Sequence, residues 1–261
     1  MAGMPPPRRP GSGAAGGGAA TIAGVTSSPL SPADVCRVDL GTLTTPRGEP
    51  GAGSEVVVHG FVVRHPQGVV LVDTGVGDPT ARDFVRDWRP VARRIDLALG
   101  EIGLAAADVT MVINTHLHWD HCGQNAVFTH APFYVQRREY ETARDRDGVI
   151  WEWFQVAGAR FELVDGAQQI WPGLSVLPTV GHTVGHQAVV VDTDQGQVVL
   201  AGDAADSVAS FEAEDPRLGV EPENDDDWRQ AVRQVKRLAP QAVLFCHDPQ
   251  PWRPRPATGG G

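Results

Sequence analysis

From Glu55 onward the chain alternates apolar runs with short polar breaks. "EVVVHGFVVRH" and "GVVLVDTG" are rich in β-branched residues and separated by the turn "PQG". This pattern predicts a hairpin whose second strand ends at Asp73. "TARDFVRDWRPVARRIDLALGEIGL" is richer in Arg, Ala and Leu and predicts helix, broken at Pro90. "DVTMVINT" reads as a buried strand, "FYVQ" as a short strand and "RREYETARDR" as helix. In the second half "GLSVLPT", "QAVVVDTD", "QVVLAGD" and "QAVLFCHD" are strands. "NDDDWRQAVRQVKRL" opens on acidic residues, carries apolar groups at helical spacing and closes on Lys and Arg, as the helix dipole favours. Each half has more strands than helices. The expectation is a four-layer αβ/βα sandwich of α/β (α+β) class, two sheets face to face with helices outside.

Residues 1–33 differ from the rest. They are mostly Pro, Gly, Ala and Ser, with little apolar surface to offset the entropy of ordering. They are expected to form a disordered tail, and residues 34–261 a single domain. No apolar run approaches the ~20 residues of a membrane span, and the N-terminal stretch is too glycine-rich for a signal sequence.

Charge narrows the partners. Lys and Arg number 22 against 32 Asp and Glu, a formal net charge of −10. Such a surface repels phosphate backbones and anionic lipid, so neither nucleic acid nor membrane is expected as a partner. A small-molecule substrate is. The three cysteines, Cys36, Cys122 and Cys246, are odd in number and form no CxxC. That argues against a disulfide framework and for a cytoplasmic location.

The chemistry concentrates at strand ends. "MVINTHLHWDHCGQN" places three His and one Asp within six residues directly after an apolar run. His116 and His118 alternate, so extended backbone aims both to one side. Asp120 and His121 follow as the chain turns toward a helix suggested by "CGQN". His182, Asp203 and His247 also follow strands. Neutral imidazoles and carboxylates suit Zn, Fe, Mn or Co better than Ca or Mg. Seven candidates, His116, His118, Asp120, His121, His182, Asp203 and His247, exceed one tetrahedral site and suit two divalent ions, zinc foremost, sharing a ligand. His59, His65 and His130 read as ordinary surface or core residues, and His186 as a packed neighbour of the site. Cys122 and Cys246 flank two of the candidates, and small buried packing is the expected role for both.

The motifs together resemble the metallo-β-lactamase superfamily. "HLHWDH" is similar to its HxHxDH signature, and "DTG" at Asp73, "GHTVGH" at His182, "AGD" at Asp203 and "CHD" at His247 follow in that family's order. The resemblance spans about residues 55–248. It implies one metal on His116, His118 and His182, a second on Asp120, His121 and His247, and Asp203 between them with a hydroxide that attacks a carbonyl. It also implies that Asp120 carries a proton to the leaving group and that Asp73 braces the histidine loop.

Within the superfamily the motifs look most like the N-acyl homoserine lactonase branch, which acts in quorum quenching. Most class B β-lactamases carry Cys where this chain has Asp203. Flavodiiron oxidoreductases carry Glu where it has His118. Glyoxalase II carries a C-terminal helical domain, whereas 14 residues follow His247 here. The resemblance thus implies a lactonase or related esterase, with a glyoxalase II-type thioester hydrolase or a mononuclear iron persulfide dioxygenase (His116, His182 and Asp203 alone) as alternatives. One departure bears on substrate. The branch usually has Tyr three residues after the bridging Asp. Here that position is Asp206, a candidate substrate contact, and the only tyrosines are Tyr134 and Tyr140.

Overall fold

In the computed structural model of the chain, residues 29–49, 51–219 and 222–255 are described. The β-branched runs form β1 (Val35–Thr44), β2 (Glu55–His65) and β3 (Gly68–Val72). Pro66 and Gln67 alone turn β2 into β3, with His65 paired to Gly68. Then come α1 (Asp83–Asp87), β4 (Val91–Ala92), α2 (Ile95–Glu101), β5 (Val109–Ile113), β6 (Pro132–Gln136), α3 (Arg137–Thr142), α4 (Trp151–Phe154) and β7 (Arg160–Val164). The second half holds β8 (Gln168–Trp171), β9 (Leu174–Pro178), β10 (Gln187–Thr193), β11 (Gly196–Leu200), α5 (Val208–Ala213), α6 (Asp225–Arg237) and β12 (Ala242–Leu244).

Two sheets result, ordered β4-β1-β2-β3-β5-β6-β7 and β12-β11-β10-β9-β8. Alternate residues of each central strand face opposite layers. Phe61, Val63, Val70, Val72, Met111 and Ile113 meet Val176, Val189, Val191, Val198 and Leu200 between the sheets. Val62, Leu71 and Val112 point outward, onto Val85, Ile95 and Leu99 of α1 and α2. On the far side Val190, Val199 and Val243 pack on Trp228, Val232 and Val235 of α6. The central strands are covered on both faces, which is why they read as unbroken apolar runs. The architecture is the expected αβ/βα sandwich.

α6 forms where its pattern predicted. The Asn224 side chain accepts hydrogen bonds from the backbone N–H of Asp226 and Asp227 at 3.0 and 2.9 Å. Three Asp fill its first turn and Lys236 and Arg237 its last.

Three expectations change. The helix expected over residues 80–104 exists only as two short pieces. Arg89 takes a left-handed conformation (φ 45°) ahead of Pro90, and Val91–Ala92 leave to pair with β1 at Gly41 and Thr42. The helix after "CGQN" is one 3₁₀ turn, Asn125–Phe128. Gly123 is pressed so close to Gly77 that a Cβ on it would lie 2.1 Å from the Gly77 nitrogen. The expected tail, residues 1–33, lies outside the described residues as far as residue 28. Its last part packs on the body. Leu30 is buried among the inner-core residues, and its carbonyl accepts from Asp194 N–H at 2.8 Å.

Strand direction explains what gathers at one edge. β3 and β5 run parallel and end side by side. β9 and β11 are each antiparallel to β10, and β12 is parallel to β11, so these three also end together. The loops after all five strands carry the polar residues singled out in the sequence.

Candidate metal centre

Asp73 follows β3 in a left-handed conformation (φ 60°). One carboxylate oxygen accepts the N–H of Thr115 at 2.8 Å, and the other accepts the Thr115 hydroxyl at 2.7 Å and Nδ1 of His121 at 2.9 Å. The Thr115 hydroxyl proton is thereby committed, so Nδ1 of His116, 3.1 Å away, donates to that oxygen. His116 is left with Nε2 as a free lone pair, and Nε2 of His121 is turned to the cluster. His247, after β12, donates from Nδ1 to the carbonyl of Val57 at 2.8 Å. Its Nε2 is likewise turned to the cluster.

Asp203 stands at the centre. Its Oδ1 lies 3.4 Å from Nε2 of both His121 and His247. Its Oδ2 lies 3.3 Å from Nε2 of His182 and 3.9 Å from Nε2 of His116. The two oxygens thus face two different ligand groups. His116, His118 and His182 bring one nitrogen each within 4.8 Å of one another, and Asp120, His121 and His247 form a second such set. Asp120 Oδ2 is 3.7 Å from Nε2 of His121 and 3.6 Å from that of His247. All seven residues predicted as ligands therefore meet at one place.

His186 holds Asp203 from behind. Its Nε2 accepts the Asp203 backbone N–H at 2.9 Å, so its Nδ1 donates to Thr179 Oγ1 at 2.8 Å. Gly202 (φ 55°) permits this approach; a Cβ there would lie 2.7 Å from Nε2 of His186.

The electrostatics demand positive charge. Burial drives His116 well below its ordinary pKa and His118 and His182 to about 3. These three are neutral, as metal ligands must be. Burial also opposes charge on His247, but the Asp203 and Asp120 carboxylates outweigh it and push the pKa up to about 9. His121 is raised well above normal by Asp203, Asp120 and Asp73 against the same burial. Burial works to raise Asp203, and His121, His247 and His182 hold it well below the carboxylate range. Without a cation, two histidines carry the protons that neutralise the buried carboxylates.

Buried polar atoms are nearly always paired. Here Nε2 of His116, Nε2 of His121 and Oδ1 of Asp203 have no hydrogen-bond partner, and Nε2 of His182 meets only another imidazole, Nδ1 of His118 at 2.9 Å. Imidazole and carboxylate donors left open around one point fit divalent metal ions of the zinc type.

Of the remaining candidates, Cys246 lies against the site, its Sγ 3.9 Å from Oδ2 of Asp73. Burial pushes the Cys246 thiol up to about 12 and Cys122 well above its usual value, so neither supplies a thiolate at neutral pH. Cys122 donates to the Leu117 carbonyl at 3.4 Å. His65 bonds the Pro172 carbonyl at 2.9 Å and His130 that of Val109 at 3.1 Å, both packing roles. His59 is buried, with Nδ1 unpaired and a pKa lowered to about 4 by burial. Asp206 is buried, its carboxylate packed on the backbone of Gly219. Glu139, unremarked in the sequence, also touches the ligand loops.

A four-layer sandwich that gathers five His and two Asp at one edge defines a metal-site protein of the metallohydrolase type. The metallo-beta-lactamase superfamily pattern matches residues 53–247, and the chain belongs to that superfamily. It is similar to the N-acyl homoserine lactonase AiiA of Bacillus thuringiensis subsp. kurstaki, 30% identical over 229 residues that cover 83% of this chain and 91% of the relative. Among solved structures it resembles a B. thuringiensis AiiA variant with N-decanoyl-L-homoserine at the active site, at TM-score 0.74 and 25% identity over 85% of this chain and 94% of that one. It also resembles an N-acyl homoserine lactone hydrolase with N-hexanoyl-L-homoserine at its catalytic metal center, at TM-score 0.73 and 25% identity over 85% and 94%.

Proposed function

We propose that this protein is a metal-dependent hydrolase that opens N-acyl homoserine lactones, a quorum-quenching activity. The observation that carries the reading is Asp203, whose two oxygens face two separate ligand sets. One set is His116, His118 and His182; the other is Asp120, His121 and His247. The second set argues for two metals rather than a single-iron dioxygenase site, and zinc suits the all-nitrogen-and-oxygen donors.

Bound there, two such ions would lower the pKa of water and polarise a carbonyl oxygen. The chain's own part is to orient and to move a proton. Asp73, Val57 and Thr115 fix the ring nitrogens of His121, His247 and His116. Asp120 is raised above the ordinary carboxylate range by burial, with Asp203 adding to the shift and His121 and His247 opposing it. Its carboxylate can take a proton from the attacking water and deliver it to the ring oxygen as the acyl–oxygen bond breaks. Water and lactone become one hydroxy acid, with no other reactant.

The surroundings support an apolar acyl group. Trp119, between His118 and Asp120, packs edge-on to Phe84 with ring centroids 6.4 Å apart and lies 6.4 Å from Trp88. Trp119 is buried and Phe84 exposed, so Phe84 is the aromatic surface that packs over the residue between His118 and Asp120. Burial of an acyl chain against such a surface favours longer chains by roughly 0.8 kcal/mol per CH₂.

A cytoplasmic location is supported by the three unpaired cysteines. Among the described residues no helix is long and apolar enough to cross a membrane.

The test is hydrolysis of a lactone, aryl ester, thioester and β-lactam panel by the metal-loaded protein. Lactone opening is expected to lead. Thioester or ester hydrolysis with no lactone opening would overturn the assignment.

A further inference from the structure

A second buried carboxylate touches the ligand loops. Glu139, on α3, is fully buried. Its Oε1 accepts the backbone N–H of Leu117 at 3.0 Å, between His116 and His118. Its Oε2 accepts the hydroxyl of Thr183 at 2.7 Å, next to His182. The Arg146 guanidinium also donates to Oε1, and reaches Glu223 at 3.0 Å. The Glu223 N–H in turn bonds the His182 carbonyl at 3.3 Å. Gly185 lets this loop close on α3: a Cβ there would lie 2.2 Å from the Glu139 nitrogen.

Packing α3 onto the sheet needs no charge. An apolar residue would do so without the cost of desolvating a carboxylate and a guanidinium. A carboxylate offers something else, two acceptor atoms at fixed separation. Each is committed to a different ligand loop.

We propose that Glu139 is a positioning residue that, through Leu117 N–H and the Thr183 hydroxyl, sets the spacing of His182 from His116 and His118 and so tunes metal affinity at that one set. Asp73 holds His121 of the other set directly and reaches His116 only through the Thr115 hydroxyl. The proposal rests on the two-metal reading above.

The experiment is titration of cobalt(II) into metal-free wild type, Glu139→Gln, Glu139→Ala and Thr183→Val, followed by visible absorption, with Tm measured alongside. Wild type is read first. Uptake of fewer than two equivalents there means that the two-metal reading has failed, independently of Glu139. Given two equivalents, Glu139→Gln and Thr183→Val should each weaken one by about 10–100-fold, the usual effect of losing a partner of a ligand. Its absorption bands should change while the other equivalent keeps its wild-type affinity. Unchanged affinities beside a lowered Tm would overturn the proposal, because Glu139 would then serve the fold alone. Equal weakening of both equivalents would also overturn it. If Glu139→Ala does not fold, the two milder variants give the same reading.

Discussion

Asp73 accepts a hydrogen bond from Nδ1 of His121 at 2.9 Å, and both side chains are about 1% exposed. A ligand imidazole whose second nitrogen is held this way has one tautomer and one ring orientation. Asp73→Asn keeps the shape, but its amide nitrogen can accept from neither Thr115 nor His121. We expect metal affinity or turnover to fall about 10–100-fold with little change in Tm. Metal titration and kcat/KM check this, and a variant indistinguishable from wild type contradicts it.

The sequence made this site legible because the strands that deliver it are covered on both faces and end in polar residues. Asp73, His116, Asp203 and His247 could be read off as apolar runs that stop. Glu139 could not. It lies in "RREYET", which reads as a solvated helix, and its partners Leu117 and Thr183 are 22 and 44 residues away. β7 and β8 escaped notice because "RFELV" and "QQIW" mix polar with apolar residues, as sheet-edge strands do. The segment at 89–92 misled because its composition favours helix, whereas Pro90 and the open edge of β1 favour a strand.

The metal-free protein should be most stable near neutral or slightly acidic pH. His247, raised from 6.5 to about 9, contributes stability that is complete below pH 6.5 and is lost as pH rises through about 9. His59, lowered from 6.5 to about 4, works in the opposite window: its contribution is lost as pH falls from 6.5 toward 4. Tm measured across this range should fall on both sides. Metal competes with the proton on His247, so metal affinity should rise from pH 6.5 to about 9. A Tm that climbs steadily to pH 9 without metal contradicts the assignment.

The start of the folded body can be located by truncation. Removing residues 1–28 should leave Tm unchanged, since their composition offers little apolar surface to bury. Leu30→Ala should cost about 2–5 kcal/mol, because Leu30 fills the inner core. Equal melting of wild type and Leu30→Ala would show that this contact adds nothing.

Asp206 bears on substrate. A carboxylate near an oxygen that gains negative charge opposes it, and one hydrogen-bond donor at such a position can be worth about 2.7–4 kcal/mol. Asp206→Asn keeps the packing on Gly219 and removes the charge. We expect higher kcat/KM for an N-acyl homoserine lactone at unchanged metal content. A rate equal to or below wild type would place the Asp206 carboxylate outside the reacting region.

Two metals shared through Asp203 are proposed to open the lactone. This is tested most directly by stripping the protein with chelator and returning zinc stepwise while following N-hexanoyl homoserine lactone hydrolysis. Activity should climb to a plateau at two equivalents per chain. Full activity at one equivalent, or no lactone opening at any loading, would contradict it.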